Sequence, residues 1–218
     1  MGDINQFQWV QQNQHLINGP VLEVGSRHYS KESSINYRAL CKSVEYIRID
    51  MSPGDNVNLV LNLTEYFSLI EEKLDGKRFN TVICCSVLEH VDNIFQMTQN
   101  ISRLTNAGSV LFVSVPFTWR FHGYPNDYWR FTSEAIKYLF PEFSFKQELG
   151  TVSSNIEGDV EALEENPNSF IVKNNNPQLF KLDRVFKYLR IFTHAFKPYK
   201  YTLIPSMINM TGFKSFDN

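Results

Sequence analysis

A glycine and two acids accompany the first two short apolar runs of the chain. Glu23 and Gly25 lie at the end of the run 21–24, and Asp50 directly follows the run 45–49. A glycine lets the backbone approach a ligand closely, and an acid at the end of a second strand suits the two hydroxyls of a ribose. The spacing therefore predicts a site for a cofactor that contains a nucleoside.

The residues after Gly25 narrow the choice of cofactor. A dinucleotide fingerprint requires G-x-G-x-x-G, because the second glycine makes room for the pyrophosphate. Here Ser26 and Arg27 follow Gly25, and no second glycine occurs as far as Ser30. The pattern speaks against NAD and FAD.

A second group of chemically capable residues is concentrated in the segment 116–131. It holds His122, Asp127 and Arg130 among several aromatic residues, and it directly follows the apolar run 110–115. Imidazole titrates near neutral pH, and a guanidinium can bind a phosphate or a carboxylate. The segment interrupts the regular alternation of the chain, so we interpret it as a functional loop at the carboxyl end of a central strand.

The elements that must position these residues alternate over the first 150 residues. The predicted strands are 21–24, 45–49, 58–61, 79–85, 110–115 and 143–149, and the predicted helices are 35–41, 64–74, 94–104 and 133–140. Strands that alternate with helices over short loops favour a parallel, doubly wound α/β sheet. Because the strands are continuously apolar, we expect helices to cover both faces.

The charge changes sign beyond this region. Acids dominate 151–180, where we predict an acidic loop or short helix and an edge strand at 170–172. Bases dominate 181–218, where the helical period of 183–196 predicts a helix with a basic face.

These patterns predict two regions of the chain. Residues 1–150 are expected to form the core, and residues 151–218 are expected to complete the sheet and to add a basic helical extension. A solvated face is the favoured interpretation of 181–200. The alternative is a weak contact with a membrane surface or another partner.

The composition excludes several classes of protein. With 43% hydrophobic and 20% charged residues, the 218-residue chain is ordinary for a globular domain, and its net charge of −2 lacks the basic balance of a nucleic-acid-binding protein. The three cysteines have no metal-ligand spacing, so no metal is expected. No secretory signal and no membrane-spanning run is recognised, and we expect a cytoplasmic protein.

Four segments in order along the chain carry a resemblance to a known family. VLEVGSR, YIRID, NTVICCSVLEHVDN and GSVLFVSVPF resemble motifs of the class I methyltransferases that depend on S-adenosyl-L-methionine (SAM), particularly the type-11 methyltransferase domain group. FHGYPNDYWRFTSEAIKYLF resembles a substrate-side loop and helix of some members. The resemblance covers residues 20–150 and implies a Rossmann-like, mostly parallel sheet of seven strands.

The resemblance also implies which residues bind the cofactor. Glu23 would organise the amino-acid end of SAM, Asp50 would hold the ribose, and Met51 would pack on the adenine. The remaining cofactor-binding residues by the same comparison are Gly25, Ser26, Arg27, Asn62, Leu63, Cys85, Ser86 and His90. Two positions depart from the family pattern: Ser26-Arg27 replaces a second glycine, and Asn62 stands where an acid is usual.

The residues of the loop 116–131 are assigned roles from their chemistry and their place beside the expected site of methyl transfer. His122 is the candidate general base, and Asp127 would orient it or bind substrate hydroxyls. The candidate substrate-binding residues are Arg120, Tyr124, Tyr128, Trp129 and Arg130.

Simpler interpretations remain open for several of these residues. His122 could bond a backbone carbonyl, Asp127 could pair with Arg130, and Tyr128 and Trp129 could be core residues. Glu89 with His90 could be a solvated helix start rather than a cofactor contact.

The sequence thus predicts a SAM-dependent methyltransferase with a small-molecule acceptor, a hydroxyl of a sugar or glycan precursor. One alternative is a non-catalytic or partner-dependent SAM-binding protein. The other is an RNA or nucleobase methyltransferase, against which the charge balance and the absence of the usual nucleobase motifs both count.

Overall fold

The computed structural model describes residues 4–28, 35–41, 44–123, 125–163, 171–173, 201–203 and 205–216. The chain forms two compact units. The larger unit contains Met1–Glu165 and Pro205–Asn218, and the smaller contains Asn166–Ile204. Within the described ranges, no helix is long and apolar enough to cross a membrane.

In the larger unit, helices or 3-10 turns separate the first five strands, except the second from the third. The helices are α1 (Ile4–Gln12), α2 (Phe67–Lys73), α3 (Ile94–Leu104) and α4 (Ser133–Leu139), with 3-10 turns at Gln14–Leu16, Tyr37–Leu40 and Leu88–His90. The strands are β1 (Val21–Val24), β2 (Tyr46–Asp50), β3 (Leu59–Val60), β4 (Phe79–Cys85), β5 (Thr105–Thr118), β6 (Phe143–Ser153), β7 (Val160–Ala162) and β10 (Ser206–Lys214). In the smaller unit, β8 (Ile171–Lys173) pairs with β9 (Tyr201–Leu203) as an antiparallel ribbon.

The larger unit contains one mixed sheet. Its strand order is β3-β2-β1-β4-β5-β10-β6-β7. The first five strands of this order are parallel, whereas β10 lies antiparallel between β5 and β6, and β7 pairs antiparallel with β6. The doubly wound prediction is confirmed, and the described sheet has eight strands rather than the predicted seven.

The order of the strands creates a switch point in the middle of the sheet. From β1 the chain builds outward to β2 and β3, and it then returns to add β4 and β5 on the other side of β1. Loops that leave the carboxyl ends of β1 and β4 therefore diverge to opposite faces of the sheet. In open α/β sheets such a crevice is where ligands bind.

Strands β1 and β4 and helix α3 are held in the centre of the larger unit by the burial of their apolar side chains. All four residues of β1 are buried, and all residues of β4 except Asn80 are buried. Helix α3 turns Ile94, Met97 and Ile101 into the core, and the Asn93 side chain caps it by accepting a hydrogen bond from the Gln96 amide at 3.2 Å. These elements form the rigid base beneath the crevice.

Several predicted boundaries differ from the structure. The predicted helix 35–41 is a short 3-10 turn, and the strand predicted at 110–115 is part of the longer β5. Helix α4 is capped by Thr132, since the Thr132 hydroxyl accepts from the Ala135 amide. Helix α2 begins at Phe67 rather than at the predicted residue 64, and the Thr64 hydroxyl donates to the Asn62 side chain.

In the C-terminal third of the chain, the structure differs more strongly from the sequence-based prediction. The strand predicted at 143–149 continues to Ser153, and part of the predicted acidic loop is β7. Residues 171 and 172 of the predicted edge strand belong instead to β8, which pairs with β9 in the smaller unit. The predicted basic helix 183–196 lies outside the described residues.

Candidate active site

A cavity of about 220 Å³ opens at the carboxyl ends of β1, β2 and β4. Eight of the residues singled out in the sequence line it, namely Gly25, Asp50, Met51, Asn62, Leu63, Ser86, His90 and Tyr128. They come from five separate segments of the chain. The sheet therefore brings together residues that are far apart in sequence, at the switch point of the strand order.

The backbone conformation at the floor of the cavity requires a glycine at position 25. Its φ angle is +72°, a conformation that favours glycine. A Cβ atom at this position would lie 2.3 Å from Cγ2 of Val87, in the loop after β4. The Gly25 amide donates to the carbonyl of Ile49 at 2.9 Å, so this turn is tied to the end of β2.

Asp50 presents a buried, oriented carboxylate to the cavity. One of its oxygens accepts from the Ser52 amide at 2.9 Å, and the other faces the Arg27 amide at 3.4 Å. The two amides fix the carboxylate plane without supplying a neutralising side chain. Such an acceptor is suited to a pair of hydroxyl groups.

The opposite wall combines an amide with apolar side chains. The Asn62 carbonyl oxygen accepts from the amide and the hydroxyl of Thr64, at 3.0 and 2.9 Å. Both bonds use the oxygen, so the NH₂ group of Asn62 can still donate to a ligand. Met51 is 56% exposed beside it, and Leu63 is buried.

Four of the expected cofactor residues do not line the cavity. Ser26 and Cys85 are buried, and the Arg27 side chain packs against Gly54. Glu23 is also buried, and one of its carboxylate oxygens accepts from the Tyr46 hydroxyl at 2.8 Å. Burial raises the pKa of Glu23 to about 7, despite the opposing effects of that bond and of the Arg48 charge.

Helix α1 supplies a contact to the cavity wall that the sequence analysis missed. The buried Gln6 amide donates to the hydroxyls of Ser86 and Ser114, both at 2.8 Å. Ser86 has a φ angle of +55°, which is uncommon for a residue other than glycine. The α1 contact therefore supports a strained turn directly at the cavity.

The loop 116–131 is organised around Asp127. Its carboxylate accepts two bonds from the Arg130 guanidinium, at 2.5 and 2.8 Å, and one from the backbone amide of His122 at 2.8 Å. The hydrogen bonds from Arg130 are the main reason that the pKa of Asp127 lies well below its usual range. Asp127 is therefore an anchored anion.

The His122 ring is held by the same anion. Its Nδ1 atom lies 3.3 Å from an Asp127 carboxylate oxygen and 3.2 Å from the Arg120 carbonyl oxygen. The two interpretations of His122 are thus compatible, because it contacts both a carbonyl and an orienting carboxylate.

Two further ionisable residues adjoin His122. The His90 and His122 rings meet edge to face with centroids 5.0 Å apart. Glu89 is only 1% exposed, so the interpretation as a solvated acid is wrong. Burial raises the pKa of Glu89 to about 7, and burial also lowers the pKa of His90.

The aromatic residues of the loop remain accessible. Tyr128 is 49% exposed and Trp129 is 37% exposed, so the alternative that they are core residues is wrong. The Trp129 ring nitrogen donates to the Val91 carbonyl at 2.7 Å, which ties the loop to the segment after β4. Arg120 is exposed, and Tyr124 lies outside the described residues.

Solved structures similar to this chain share one fold. A SAM-dependent methyltransferase from Archaeoglobus fulgidus aligns with 13% identity over 94% of this chain and 91% of that chain, at a TM-score of 0.53. The YcgJ protein from Bacillus subtilis aligns with 9% identity over 98% and 99%, at 0.52. The N-methyltransferase NodS from Bradyrhizobium japonicum aligns with 8% identity over 97% and 95%, at 0.50.

Sequence comparison adds nothing to these structural matches. No protein-family model matches the chain, and no curated protein matches it. At such low identity the structural likeness establishes the fold alone. That fold is the one shared by class I SAM-dependent methyltransferases.

Proposed function

We propose that this chain, which has the class I methyltransferase fold, is a SAM-dependent methyltransferase with a small-molecule acceptor. The observation that carries the proposal is the cavity at the β1/β4 switch point. There an oriented carboxylate (Asp50), a close backbone turn (Gly25) and a free amide donor (Asn62) surround one space.

The chemistry of the cavity fits the adenosine part of SAM. Asp50 would accept hydrogen bonds from both ribose hydroxyls, and the Asn62 NH₂ group would donate to the adenine edge. Met51 and Leu63 supply apolar surface for the ring. When bound, SAM supplies a methyl group on a positively charged sulfur.

The other expected cofactor residues surround the opposite end of the site. In this proposal the turn at Gly25, Ser26 and Arg27 contacts the amino-acid end, and Glu23 acts from beneath it. The backbone of Cys85 and Ser86, with His90 beside it, borders the methionine part. Glu23 and Cys85 are buried, so they would act mainly by shaping the floor.

We assign removal of the acceptor's proton to the loop 116–131. His122, whose Nδ1 atom lies 3.3 Å from an Asp127 carboxylate oxygen, would accept the proton of a hydroxyl. Positioning contributes as well, because Tyr128 and Trp129 offer exposed aromatic surface to a ring-shaped acceptor. Arg120 and Tyr124 complete the proposed acceptor site, and Arg130 anchors Asp127.

The acceptor class follows from this polar and aromatic loop. We propose a hydroxyl of a sugar or of a glycan precursor, since such substrates combine rings with many hydroxyls. A cytoplasmic location is part of the proposal, and the three cysteines, all buried and free, support it. The net charge of −2 counts against nucleic acid as the acceptor.

Calorimetric titration with SAM, S-adenosylhomocysteine and NAD tests the cofactor. We expect both adenosyl ligands to bind and NAD not to bind. The substitution Asp50→Asn should weaken adenosyl binding about 10–100-fold, because hydrogen bonds to a charged group contribute roughly 1.5–3 kcal/mol each.

The control for this titration is Asp75→Asn, at an exposed position with a φ angle of +52°, a conformation that asparagine tolerates. It should bind like the unmodified protein. If neither adenosyl ligand binds the unmodified chain, the proposal fails. Binding without transfer to any acceptor in a screen of sugar nucleotides and glycosyl phosphates would favour a non-catalytic SAM-binding protein instead.

A further inference from the structure

Three potential metal ligands meet beside the cavity. One ligand atom each from Glu89, His90 and His122 lies within 4.8 Å of the others. The first two belong to the 3-10 turn after β4, and the third belongs to the loop 116–131. His90 also lines the proposed cofactor cavity, so the cluster adjoins it.

Among the described residues, the Glu89 carboxyl group has no hydrogen-bond partner. It is 1% exposed, and neither of its oxygens forms a hydrogen bond with any described residue. Nε2 of His90 lies 3.8 Å from one of these oxygens, which is beyond hydrogen-bond distance. A buried carboxyl without a partner is costly, and an ion is one of the few things that explain such a group.

The two imidazoles are already oriented as metal ligands are. The Nδ1 atom of His90 lies 2.5 Å from the Asn126 carbonyl oxygen, and Nδ1 of His122 faces the Asp127 carboxylate at 3.3 Å. Metal-binding histidines almost always donate their other nitrogen to a carbonyl or a carboxylate in this way.

We propose that Glu89, His90 and His122 bind one divalent transition-metal ion. Two imidazoles and one carboxylate are the ligands of catalytic zinc sites, which keep a position open for water or substrate. The nitrogen ligands favour Zn²⁺, Co²⁺ or Fe²⁺ over Mg²⁺ and Ca²⁺, which prefer oxygen. The sequence suggested no metal, because ligands at positions 89, 90 and 122 have no recognisable spacing.

Only small movements are needed to complete this site. Bonds of about 2.0–2.2 Å to one ion place neighbouring ligand atoms roughly 3–3.5 Å apart. The atoms of Glu89, His90 and His122 would therefore close in from a cluster that spans at most 4.8 Å. His122 is on a loop, which can move further than the turn that holds the other two ligands.

The ion would take part in the proposed methyl transfer by binding the acceptor, and this part of the inference rests on the proposed function. A hydroxyl oxygen of the acceptor would occupy the open position, and the positive charge would favour its ionised form. The released proton passes to solvent. His122 is then a ligand, so the ion rather than the imidazole promotes proton loss, and the role of His122 as a base belongs to the metal-free protein.

The test is metal binding by the full chain after treatment with a chelator and dialysis. We expect one equivalent of Zn²⁺ to bind in calorimetry and Co²⁺ to give a visible absorption spectrum, whereas Mg²⁺ should not compete. Glu89→Gln and His122→Asn should each weaken Zn²⁺ binding at least 100-fold. His15→Asn, which changes an exposed histidine outside the cluster, should have no effect.

A positioning role is tested separately with Asp127→Asn, which keeps the shape but removes the charge that orients His122. It should weaken Zn²⁺ binding about 10–100-fold. The metal proposal is overturned if the chain binds no Zn²⁺ or Co²⁺, or if Glu89→Gln binds them as the unmodified chain does. SAM binding by the metal-free chain would then still support the proposed function, with His122 as the base.

Discussion

At the scale of single residues, Glu23 shows how burial changes the behaviour of an acid. Its carboxyl group lies beneath the cavity, where its bond from the Tyr46 hydroxyl does not compensate for the loss of water. The pKa of Glu23 is therefore raised from 4.5 to about 7. Between these values the folded protein keeps a proton that the unfolded chain has lost.

The pH dependence of stability should reveal this proton. Because the unfolded chain binds fewer protons from Glu23 between pH 4.5 and 7, the free energy of unfolding falls as the pH rises through that window. Glu23→Gln should remove this contribution, on the order of 2–3 kcal/mol between pH 5 and pH 8. Urea unfolding of both proteins at the two pH values measures it.

The difference between the two proteins is the quantity to compare, because other groups such as Glu89 contribute equally to both. If the unmodified protein and Glu23→Gln lose the same stability between pH 5 and pH 8, Glu23 is already ionised in the folded state. The bond from Tyr46 would then outweigh burial.

At this scale, the residues that directly follow a strand could be predicted from the sequence to lie at the candidate site. Gly25, Asp50 and Asn62 were selected from their positions after apolar runs, and all three line the cavity. The burial of Glu89 was not predictable, because it depends on a loop that returns from β5 to cover the turn after β4. No local pattern encodes that contact.

At the scale of elements, α1 connects the N-terminal region to the candidate site. Gln6 bonds both Ser86 and Ser114, and Ser114 in turn donates to the Asn209 side chain on β10. One buried chain of polar side chains thus links α1 with the carboxyl end of β5 and with β10. Satisfied buried networks of this kind fix the relative positions of their elements.

Removal of the Gln6 side chain should loosen the turn at Ser86. We expect Gln6→Ala to lower the free energy of unfolding by about 1–3 kcal/mol, because it removes the hydrogen bonds that the Gln6 amide donates to the Ser86 and Ser114 hydroxyls. SAM binding should weaken as well, since Ser86 lines the cavity. Thermal unfolding and calorimetry on the same preparation measure the two effects.

The matched control is Gln8→Ala on the same helix, whose side chain bonds Glu157 in an exposed position. It should change the free energy of unfolding by less than about 0.5 kcal/mol. Equal effects of the two substitutions would mean that α1 contributes through helix formation and not through the contact with Ser86.

The helices and strands with a clear pattern of apolar residues were predicted well, and those without such a pattern were missed. The bounds of β4 and α3 agree with the sequence-based predictions, because one is continuously apolar and the other has a clear buried face. Helix α1 was missed because its buried positions include Asn5 and Gln6 as well as Trp9. Strand β10 was missed because it contains Asn209, Thr211 and Gly212, which a single sequence suggests belong to a loop.

At the scale of the whole molecule, the chain leaves the larger unit after β7 and returns to it for β10. All eight strands of the mixed sheet, and all residues that line the cavity, belong to the larger unit. The smaller unit, Asn166–Ile204, is therefore an insertion with respect to the sheet. Its charge pattern was visible in the sequence, whereas its separation from the sheet was not.

Replacement of residues 166–204 by a flexible Gly-Ser linker should preserve the larger unit. A linker of about 20 residues has an average end-to-end distance of about 25 Å, and extra loop length costs little free energy. We expect cooperative unfolding and SAM binding within about threefold of the full chain. Loss of either would show that the smaller unit is needed to fold the sheet or to complete the site.

The position of β10 has a consequence for biosynthesis. This strand is synthesised after all the others of the mixed sheet, yet it lies between β5 and β6 and bonds to both. A nascent chain emerging from the ribosome therefore carries two unsatisfied strand edges while residues 154–205 are still being translated, and such edges attract other chains. Because the last strand to be made is a central one, we expect the chain to depend on chaperones during translation. We also expect chains that stop before Ser206 to aggregate.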